Sequence, residues 1–233
     1  MNKTTTIGVL GTGDSPEPTT TVPEPIARGA RDSKPVLCDL EGAVFPIDKA
    51  ASEVCASAYV NAGLKAQQVG HGGAYINTMG DYGLRALRRV ATIPVSGAGE
   101  GSIHTARKQG LQFAIVTIWP PSMRFIYDAM LEACQAEDEC KALYHLSEDG
   151  DLASLDQPDN FVEQMRGCSL TSLAQIREAC ERALNDDGAD VVILGCTCMA
   201  PTAALLTGDG LPIIEPMAAG YRYLEDLIKT GAD

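Results

Sequence analysis

The sequence predicts an α/β fold of two pseudo-symmetric lobes, each a parallel sheet flanked by helices, with the active site in the cleft between the lobes. Short apolar runs alternate with stretches of helical periodicity, which is the pattern of parallel strands joined by crossover helices. A segment with the same spacing of motifs occurs twice, which indicates a duplicated half. The chain has 233 residues and is 45% hydrophobic, so it can bury a core of this size.

The predicted strands are short, and Val191–Leu194 is apolar throughout, as expected for a central strand covered on both faces. They are Thr6–Leu10, Pro35–Leu40, Gln67–Val69 with the Gly-rich residues after it, Ile93–Val95, Phe113–Ile118, Leu143–Leu146, Val191–Leu194 and Pro212–Ile214. Helices with a capping residue or a terminal glycine are predicted over Ser52–Ala62, from Ser102 to Gly110, over Met123–Ala136 and from Thr171 to Asn185. Residues 11–34 are rich in Pro, Thr and Gly and predict a long loop.

Thr78 and Cys196 hold matching positions in the repeat. Each stands 16 residues before a proline within the first two residues of the next predicted strand. Ligands of open parallel sheets bind beyond the carboxyl ends of strands. The repeat therefore predicts one lobe from residues 1–95 plus 212–233 and a second from 96–211, with Thr78 and Cys196 on opposite walls of one cleft. A chance likeness between two ordinary strand–helix units is the alternative.

Composition narrows the class of function. The net charge of −13 disfavours a nucleic-acid partner, because an acidic surface repels phosphates. No apolar run approaches the roughly 20 residues that span a bilayer, and residues 1–10 lack a signal-peptide core, so we expect a cytoplasmic protein with no membrane partner. Eight cysteines in such a chain predict thiols rather than a disulfide framework. Their spacing, with three isolated histidines, predicts no metal site.

Five motifs, in order from about residue 75 to the C terminus, resemble the aspartate/glutamate/hydantoin racemase superfamily and, within it, the hydantoin and allantoin racemase branch. They are NTMGDYGL (77–84), IPVSGAGE (93–100), FAIVT (113–117), LGCTCM (194–199) and LPIIEP (211–216). The resemblance implies two pseudo-symmetric α/β lobes, one acid/base residue from each lobe, and no metal or organic cofactor. In the racemases of this family both residues are Cys: one thiolate removes the proton next to a carbonyl, and the opposite thiol returns one to the other face.

This sequence departs from that pattern at one position. The second-lobe residue is Cys196, but the first-lobe residue is Thr78, whose hydroxyl has a pKa far above the ~8.5 of a thiol. Thr78 is therefore a poor proton acceptor, which places two-base racemisation in question. The position also resembles arylmalonate decarboxylases, which keep only the second-lobe Cys and use small and hydroxyl residues opposite as oxyanion donors.

Cys196 and Thr78 are the candidate catalytic residues. Cys196 lies where a strand enters a helix, and backbone N–H groups and the helix dipole there favour a thiolate, which acts as base, proton donor or nucleophile. A buried structural thiol is the alternative reading. Thr78 offers its hydroxyl, and the N–H groups of Thr78, Met79 and Thr197 offer donors to an oxyanion or a carboxylate. A plain turn residue is the alternative for Thr78.

Three further residues are candidates for substrate binding. Thr117 ends a predicted strand and could bind a substrate carboxylate. Gly97 opens a Gly-x-Gly-x-Gly sequence before a helix, a weak phosphate-loop signal because no acidic residue follows at dinucleotide spacing. His71, flanked by glycines, is close in sequence to the Thr78 motif.

Three functions remain open from the sequence. The first is a cofactor-independent racemase or isomerase that uses thiol acid/base chemistry at Cys196 on a small carboxylate or a hydantoin-like ring. The second is a single-Cys lyase or hydrolase, acting by decarboxylation or ring opening. The third is a non-catalytic protein that binds small anions. The partner in each case is a small anionic or cyclic amide molecule, and a homo-oligomer is compatible with the sequence.

Overall fold

The chain forms two compact units. The computed structural model describes residues 4–11, 21–43, 45–155, 157 and 159–231. Unit 1 comprises Met1–Gly101 and Met217–Asp233, and unit 2 comprises Ser102–Pro216. The chain thus passes between units after Gly101 and after Pro216, where the sequence placed the boundaries after residues 95 and 211.

Unit 1 contains a four-stranded parallel sheet. Its elements are β1 (Thr5–Leu10), α1 (Glu24–Gly29), β2 (Ser33–Cys38), α2 (Lys49–Gln68), β3 (Gly73–Ile76), α3 (Leu84–Val90), β4 (Val95–Gly97), the start of α4 (Ala98–Lys108) and nearly all of α9 (Pro216–Thr230). The strand order is β2-β1-β3-β4. Every residue of β3 is buried, which is why this strand carries the apolar run Ala74-Tyr75-Ile76.

Unit 2 repeats this arrangement. It holds the rest of α4 and then β5 (Phe113–Thr117), α5 (Arg124–Cys134), β6 (Cys140–His145), α6 (Phe161–Arg166), α7 (Leu170–Asn185), β7 (Val191–Leu194), α8 (Ala200–Gly208) and β8 (Ile213–Ile214). Its sheet is parallel, with the order β6-β5-β7-β8. The completely apolar β7 is buried at all four positions.

The two sheets have the same strand order once β5 to β8 are matched to β1 to β4. The predicted fold class, an α/β protein with two parallel sheets flanked by helices, is confirmed. Thr78 is the second residue after β3, and Cys196 is the second residue after β7. The two residues are therefore topologically equivalent, as their spacing from the following prolines predicted.

One predicted strand is wrong. Gln67 lies in the last turn of α2, which ends at Gln68, and the strand that follows begins only at Gly73. The error arises because Gly63, predicted to end a helix, lies inside α2. A side chain at Gly63 would overlap the methyl groups of Leu87 from α3, so this glycine allows two helices to approach rather than ending one.

Residues 11–34 are also more regular than predicted. A short helix, α1, begins after Pro23. It has an acidic residue, Glu24, in its first turn and a basic residue, Arg28, in its last turn, and it buries Ile26. The strand β2 begins at Ser33, before the predicted start. Residues 12–20 of the predicted loop lie outside the described residues.

Helix starts differ from the predicted caps for local reasons. The helix α4 begins directly after β4, so Ser102 lies inside it. Ser122 lies in a 3-10 turn, Pro121–Met123, that precedes α5. Ser169 caps α7 by accepting a hydrogen bond from the backbone N–H of Ser172. None of the helices in the described part of the chain is long and apolar enough to cross a membrane.

Candidate active site

The Cys196 loop joins β7 to α8. The N–H of Gly195 donates to the Val116 carbonyl at 2.8 Å and extends the β5–β7 pairing by one residue. Cys196 then adopts an extended conformation and caps a 3-10 turn, Thr197–Met199, from which α8 continues. Within this turn, the N–H of Cys198 donates to the Cys196 sulfur at 3.3 Å. Such a donor stabilises negative charge on sulfur and favours a thiolate when Cys196 is reduced.

The structure joins the sulfur atoms of Cys196 and Cys198 in a disulfide, with the two Cα atoms 5.2 Å apart. The expectation of thiols throughout is wrong for this pair, because the turn brings the two side chains together. Both residues are nearly buried, with 2% of Cys196 and 6% of Cys198 exposed. A bridged sulfur cannot take up a proton, so acid/base chemistry at Cys196 requires the reduced form of this pair.

A buried hydrogen-bond chain ends on the residue before Cys196. The Trp119 N–H donates to the Thr117 hydroxyl at 3.2 Å, Thr117 contacts the Tyr127 hydroxyl at 2.5 Å, and Tyr127 donates to the Gly195 carbonyl at 2.7 Å. Because Tyr127 has one proton and gives it to Gly195, Thr117 is the donor in the middle bond. A Cβ on Gly195 would lie 2.6 Å from the Thr117 Cβ, so only glycine fits at this point.

These hydrogen bonds change the interpretation of Thr117. Its side chain is completely buried, and its hydroxyl already donates to Tyr127 and accepts from Trp119. The structure thus assigns Thr117 an internal partner rather than an open position for a carboxylate. Thr197, the first residue of the 3-10 turn, is 2% exposed.

The Thr78 loop follows β3 in unit 1. The N–H of Asn77 donates to the Leu10 carbonyl at 3.0 Å, and the Thr78 hydroxyl accepts from the N–H of Gly80 at 3.0 Å. This second bond is the side-chain turn typical of Thr, and it leaves the hydroxyl proton available to donate. Thr78 is 7% exposed and Met79 is 4% exposed. The buried Oδ1 of Asn77 has no hydrogen-bond partner among the residues that are described.

Asp81 ties the Thr78 loop to the first turn of α4. Its two carboxyl oxygens accept from the N–H groups of Gly99 and Glu100 at 3.0 and 2.7 Å, while its own backbone has a positive φ of 45°. Burial raises the pKa of Asp81 to about 8, and the charge of Glu100 adds to the rise; the two N–H bonds and Arg88 oppose it. A side chain at Gly97 would overlap the Asp81 carboxylate.

Asp81 therefore occupies the helix N terminus that a phosphate-binding loop would use. Gly97 is a glycine because the Asp81 carboxyl group occupies the space that a side chain would need. The glycine spacing that resembles a phosphate-binding loop therefore has this internal contact as its cause. Glu100, in the same turn, pairs with Arg88 at 2.6 Å.

His71 lies at the amino end of β3, whereas Thr78 lies beyond its carboxyl end. The structure therefore does not bring His71 to the Thr78 loop. Its Nδ1 lies 2.9 Å from the Thr6 hydroxyl, and burial lowers the pKa of the ring. In the described part of the chain no three His, Cys, Asp or Glu residues are grouped to hold a metal ion.

Asn77, Asp81 and Tyr127 are not among the candidate site residues that the sequence predicts. Asn77 and Asp81 lie in the motif NTMGDYGL (77–84). A polar residue between an apolar strand and the glycines that follow it is the sequence signal that could have identified them. Tyr127 lies 68 residues from its acceptor, Gly195, and no local pattern indicates that contact.

Comparisons with known proteins agree with this fold. A model of the Asp/Glu/Hydantoin racemase family matches residues 7–224. A hydantoin racemase from Paenarthrobacter aurescens is 28% identical over 157 residues, which cover 67% of this chain and 61% of that protein. The chain thus matches less than two thirds of the length of this relative.

Solved structures show the same architecture. Allantoin racemase from Klebsiella pneumoniae superposes with a TM-score of 0.76 at 24% identity, covering 97% of this chain and 89% of that chain. Arylmalonate decarboxylase superposes with a TM-score of 0.58 at 16% identity, covering 98% and 94%. At these identities the likeness establishes the fold, and the family model, which spans most of the sequence, establishes the family. This chain belongs to the Asp/Glu/Hydantoin racemase family.

Proposed function

We propose that this protein is a cofactor-independent racemase or isomerase that acts through the thiol of Cys196 on a small carboxylate or a hydantoin-like ring. The observation that carries the proposal is the position of Cys196 as the second residue after β7, with the Cys198 N–H directed at its sulfur. Membership of the racemase family and the allantoin and hydantoin racemases among its relatives support the choice of reaction.

The chemistry begins from the reduced form. The Cys196 thiolate takes the proton from the carbon next to a carbonyl, and the resulting enolate carries negative charge on oxygen. The Thr78 hydroxyl and the N–H groups of Met79 and Thr197 are the proposed donors to such an oxygen or to a carboxylate; one donor of this kind contributes about 3–4 kcal/mol. Return of the proton from Cys196 restores the starting enantiomer, and delivery of a proton to the opposite face completes racemisation.

The presence of Thr78 makes a stereochemical prediction. A thiol that both removes and returns the proton exchanges it with solvent on one face, so exchange is faster than loss of optical activity. Inversion needs a donor on the other face, and a hydroxyl is a weaker acid than a thiol. The wild-type enzyme should therefore show more solvent exchange than racemisation.

A lyase is the second candidate, and Thr78 is the observation that favours it. A single-thiol site suits decarboxylation followed by protonation from one side, and arylmalonate decarboxylase shares the fold. Such an enzyme releases carbon dioxide and gives one enantiomer. Ring opening by covalent attack of Cys196 is a third outcome, and tight binding without turnover would indicate an anion-binding protein.

The experiment uses the reduced protein in D2O with 5-substituted hydantoins, allantoin, aspartate, glutamate and 2-arylmalonates. Proton NMR measures deuterium uptake, polarimetry measures racemisation, and carbon dioxide release measures decarboxylation. Cys196→Ala should lower any of these rates by about 10²-fold or more, the usual share of an acid/base group. Activity that survives this substitution would refute the assignment.

Two further variants sharpen the test. Cys180→Ala is the matched control, because Cys180 is also a completely buried cysteine and burial raises the pKa of its thiol to about 12. It should leave the reaction unchanged. Thr78→Cys adds a thiol at the equivalent end of β3 and should raise the ratio of racemisation to exchange. An unchanged ratio would contradict a role for residue 78 in proton transfer.

A further inference from the structure

We infer that Cys196 and Cys198 form a reversible dithiol/disulfide modification site, at which a small peroxide oxidant withdraws the Cys196 thiol and a small dithiol reductant restores it. The consequence for catalysis rests on the proposed function of Cys196, whereas the modification itself does not. The effect is an enzyme whose acid/base group exists only in the reduced state.

The local geometry favours the bridge. The Cα atoms of Cys196 and Cys198 are 5.2 Å apart, within the range of about 4.4–6.8 Å that a disulfide requires. Both residues belong to one 3-10 turn and its cap, separated only by Thr197. Because this turn is short and continues into α8, the two sulfur atoms stay close whichever redox state they are in.

The pair also has the chemical features of an oxidisable site. The N–H of Cys198 donates to the Cys196 sulfur and favours its thiolate, which is the form that peroxides attack. Cys198 then stands beside it as a resolving thiol. Burial raises the pKa of Cys140 to about 11 and of Cys180 to about 12, which keeps those two thiols of unit 2 protonated.

The reaction balances in two steps with hydrogen peroxide. The Cys196 thiolate attacks one peroxide oxygen, the O–O bond breaks, and hydroxide leaves as Cys196 becomes a sulfenic acid. The Cys198 thiol then attacks the Cys196 sulfur and expels water, which forms the disulfide. In sum, two thiols lose two protons and two electrons to the peroxide, and two waters form. A dithiol reductant reverses the change by two exchange steps.

Burial selects the size of the reagents. Only 2% of Cys196 and 6% of Cys198 are exposed. Surfaces this small admit only reagents of the size of a peroxide or a small dithiol, whereas a protein oxidant needs an exposed cysteine. We therefore assign hydrogen peroxide as the oxidant and a dithiol such as dithiothreitol as the reductant.

The first measurement is independent of activity. The full chain is reduced with dithiothreitol, freed of reductant, treated with one equivalent of hydrogen peroxide, alkylated, digested without reduction and examined by mass spectrometry. The peptide that contains residues 196–198 should lose two hydrogens and resist alkylation, and dithiothreitol should restore both thiols. Cys198→Ser should instead give a Cys196 sulfenic acid that dimedone traps. Cys180→Ala, the matched control, should still form the bridge.

The second measurement follows deuterium exchange on the substrate that the experiment under Proposed function identifies. For each protein, the exchange rate of the oxidised form is divided by that of the reduced form. The wild-type and Cys180→Ala proteins should lose about 10²-fold or more on oxidation and recover with dithiothreitol. The absence of a bridged peptide in the wild type overturns the inference and leaves the proposed function standing. A bridged protein with full activity refutes instead the role of Cys196 in the reaction.

Discussion

Replacing Tyr127 by Phe removes one oxygen atom from the hydrogen-bond chain that ends at Gly195. The lost hydroxyl donates to the Gly195 carbonyl at 2.7 Å and accepts from Thr117 at 2.5 Å. The side chains of Tyr127 and Thr117 are both completely buried. Two buried polar groups are left without this partner, and each costs about 1–3 kcal/mol. We therefore expect Tyr127→Phe to lower the free energy of unfolding by about 2–6 kcal/mol.

A double-mutant cycle measures whether the chain acts as a unit. Urea unfolding is compared for Tyr127→Phe, Thr117→Val and the double variant. Because the two hydroxyls are bonded to each other, the double variant should cost about 1–2 kcal/mol less than the sum of the single changes. Tyr144→Phe is the matched control, since its hydroxyl bonds to Asp187 at the surface and its loss should cost below about 1 kcal/mol.

Additive single changes would refute the coupled chain, and a cost for Tyr127→Phe no larger than that for Tyr144→Phe would refute the burial argument. The same variant tests whether this chain positions Cys196. If the Gly195 carbonyl holds the loop in place, Tyr127→Phe should lower kcat of the proposed reaction more than it raises KM, and the effect should persist at temperatures where the variant is fully folded.

Three further predictions concern stability. Gly63→Ala should cost about 1–3 kcal/mol, because its methyl group meets Leu87 across two packed helices. Asp81 has its pKa raised from 3.8 to about 8 by burial, so the folded state keeps a proton that the unfolded state loses, and stability should fall as pH rises through this window; Asp81→Asn should flatten that slope. Glu225 behaves in the opposite sense. Burial opposes its ionisation, but hydrogen bonds from residues 31–33 outweigh burial and lower its pKa from 4.5. Its contribution to the free energy of unfolding should therefore vanish as pH falls below 4.5, and Glu225→Gln should remove this acid dependence.

Each of these predictions is checked by urea unfolding, the last two at a series of pH values. Gly208→Ala is the control for Gly63, because open space surrounds Gly208 and its replacement in a helix should be neutral or favourable by up to about 1 kcal/mol. Equal effects at the two glycines would contradict the packing argument. A parallel pH dependence for Asp81→Asn and the wild type would show that Asp81 ionises normally in the folded protein.

The parts of the fold that sequence could predict are those with a local cause. Val191–Leu194 is a strand with the predicted ends because four consecutive apolar residues must be covered on both faces. The equivalence of Thr78 and Cys196 is predictable because their spacing from the next proline is the same in both halves. Each is the second residue after its strand.

The parts that could not be predicted depend on contacts made across the sequence. Gly63 carries the ordinary signal of a helix end, and only the position of Leu87 explains why the helix continues. Asp81 finds its N–H donors 18 and 19 residues away, and Tyr127 finds its acceptor 68 residues away. A cysteine in an apolar run, such as Cys198, usually packs in the core, and its bond to Cys196 follows only from the geometry of the turn.

The discontinuity of unit 1 affects how the chain can fold as it is synthesised. Unit 2 is one uninterrupted segment, so all its strands have been synthesised once the chain reaches Pro216. Unit 1 must wait for α9, whose Glu225 receives the N–H groups of Arg31, Asp32 and Ser33 from up to 194 residues earlier. A nascent chain halted before Glu225 therefore leaves the start of β2 without its buried anion, and a long loop must close before that contact forms. Pulse proteolysis of stalled chains should find unit 2 protected first.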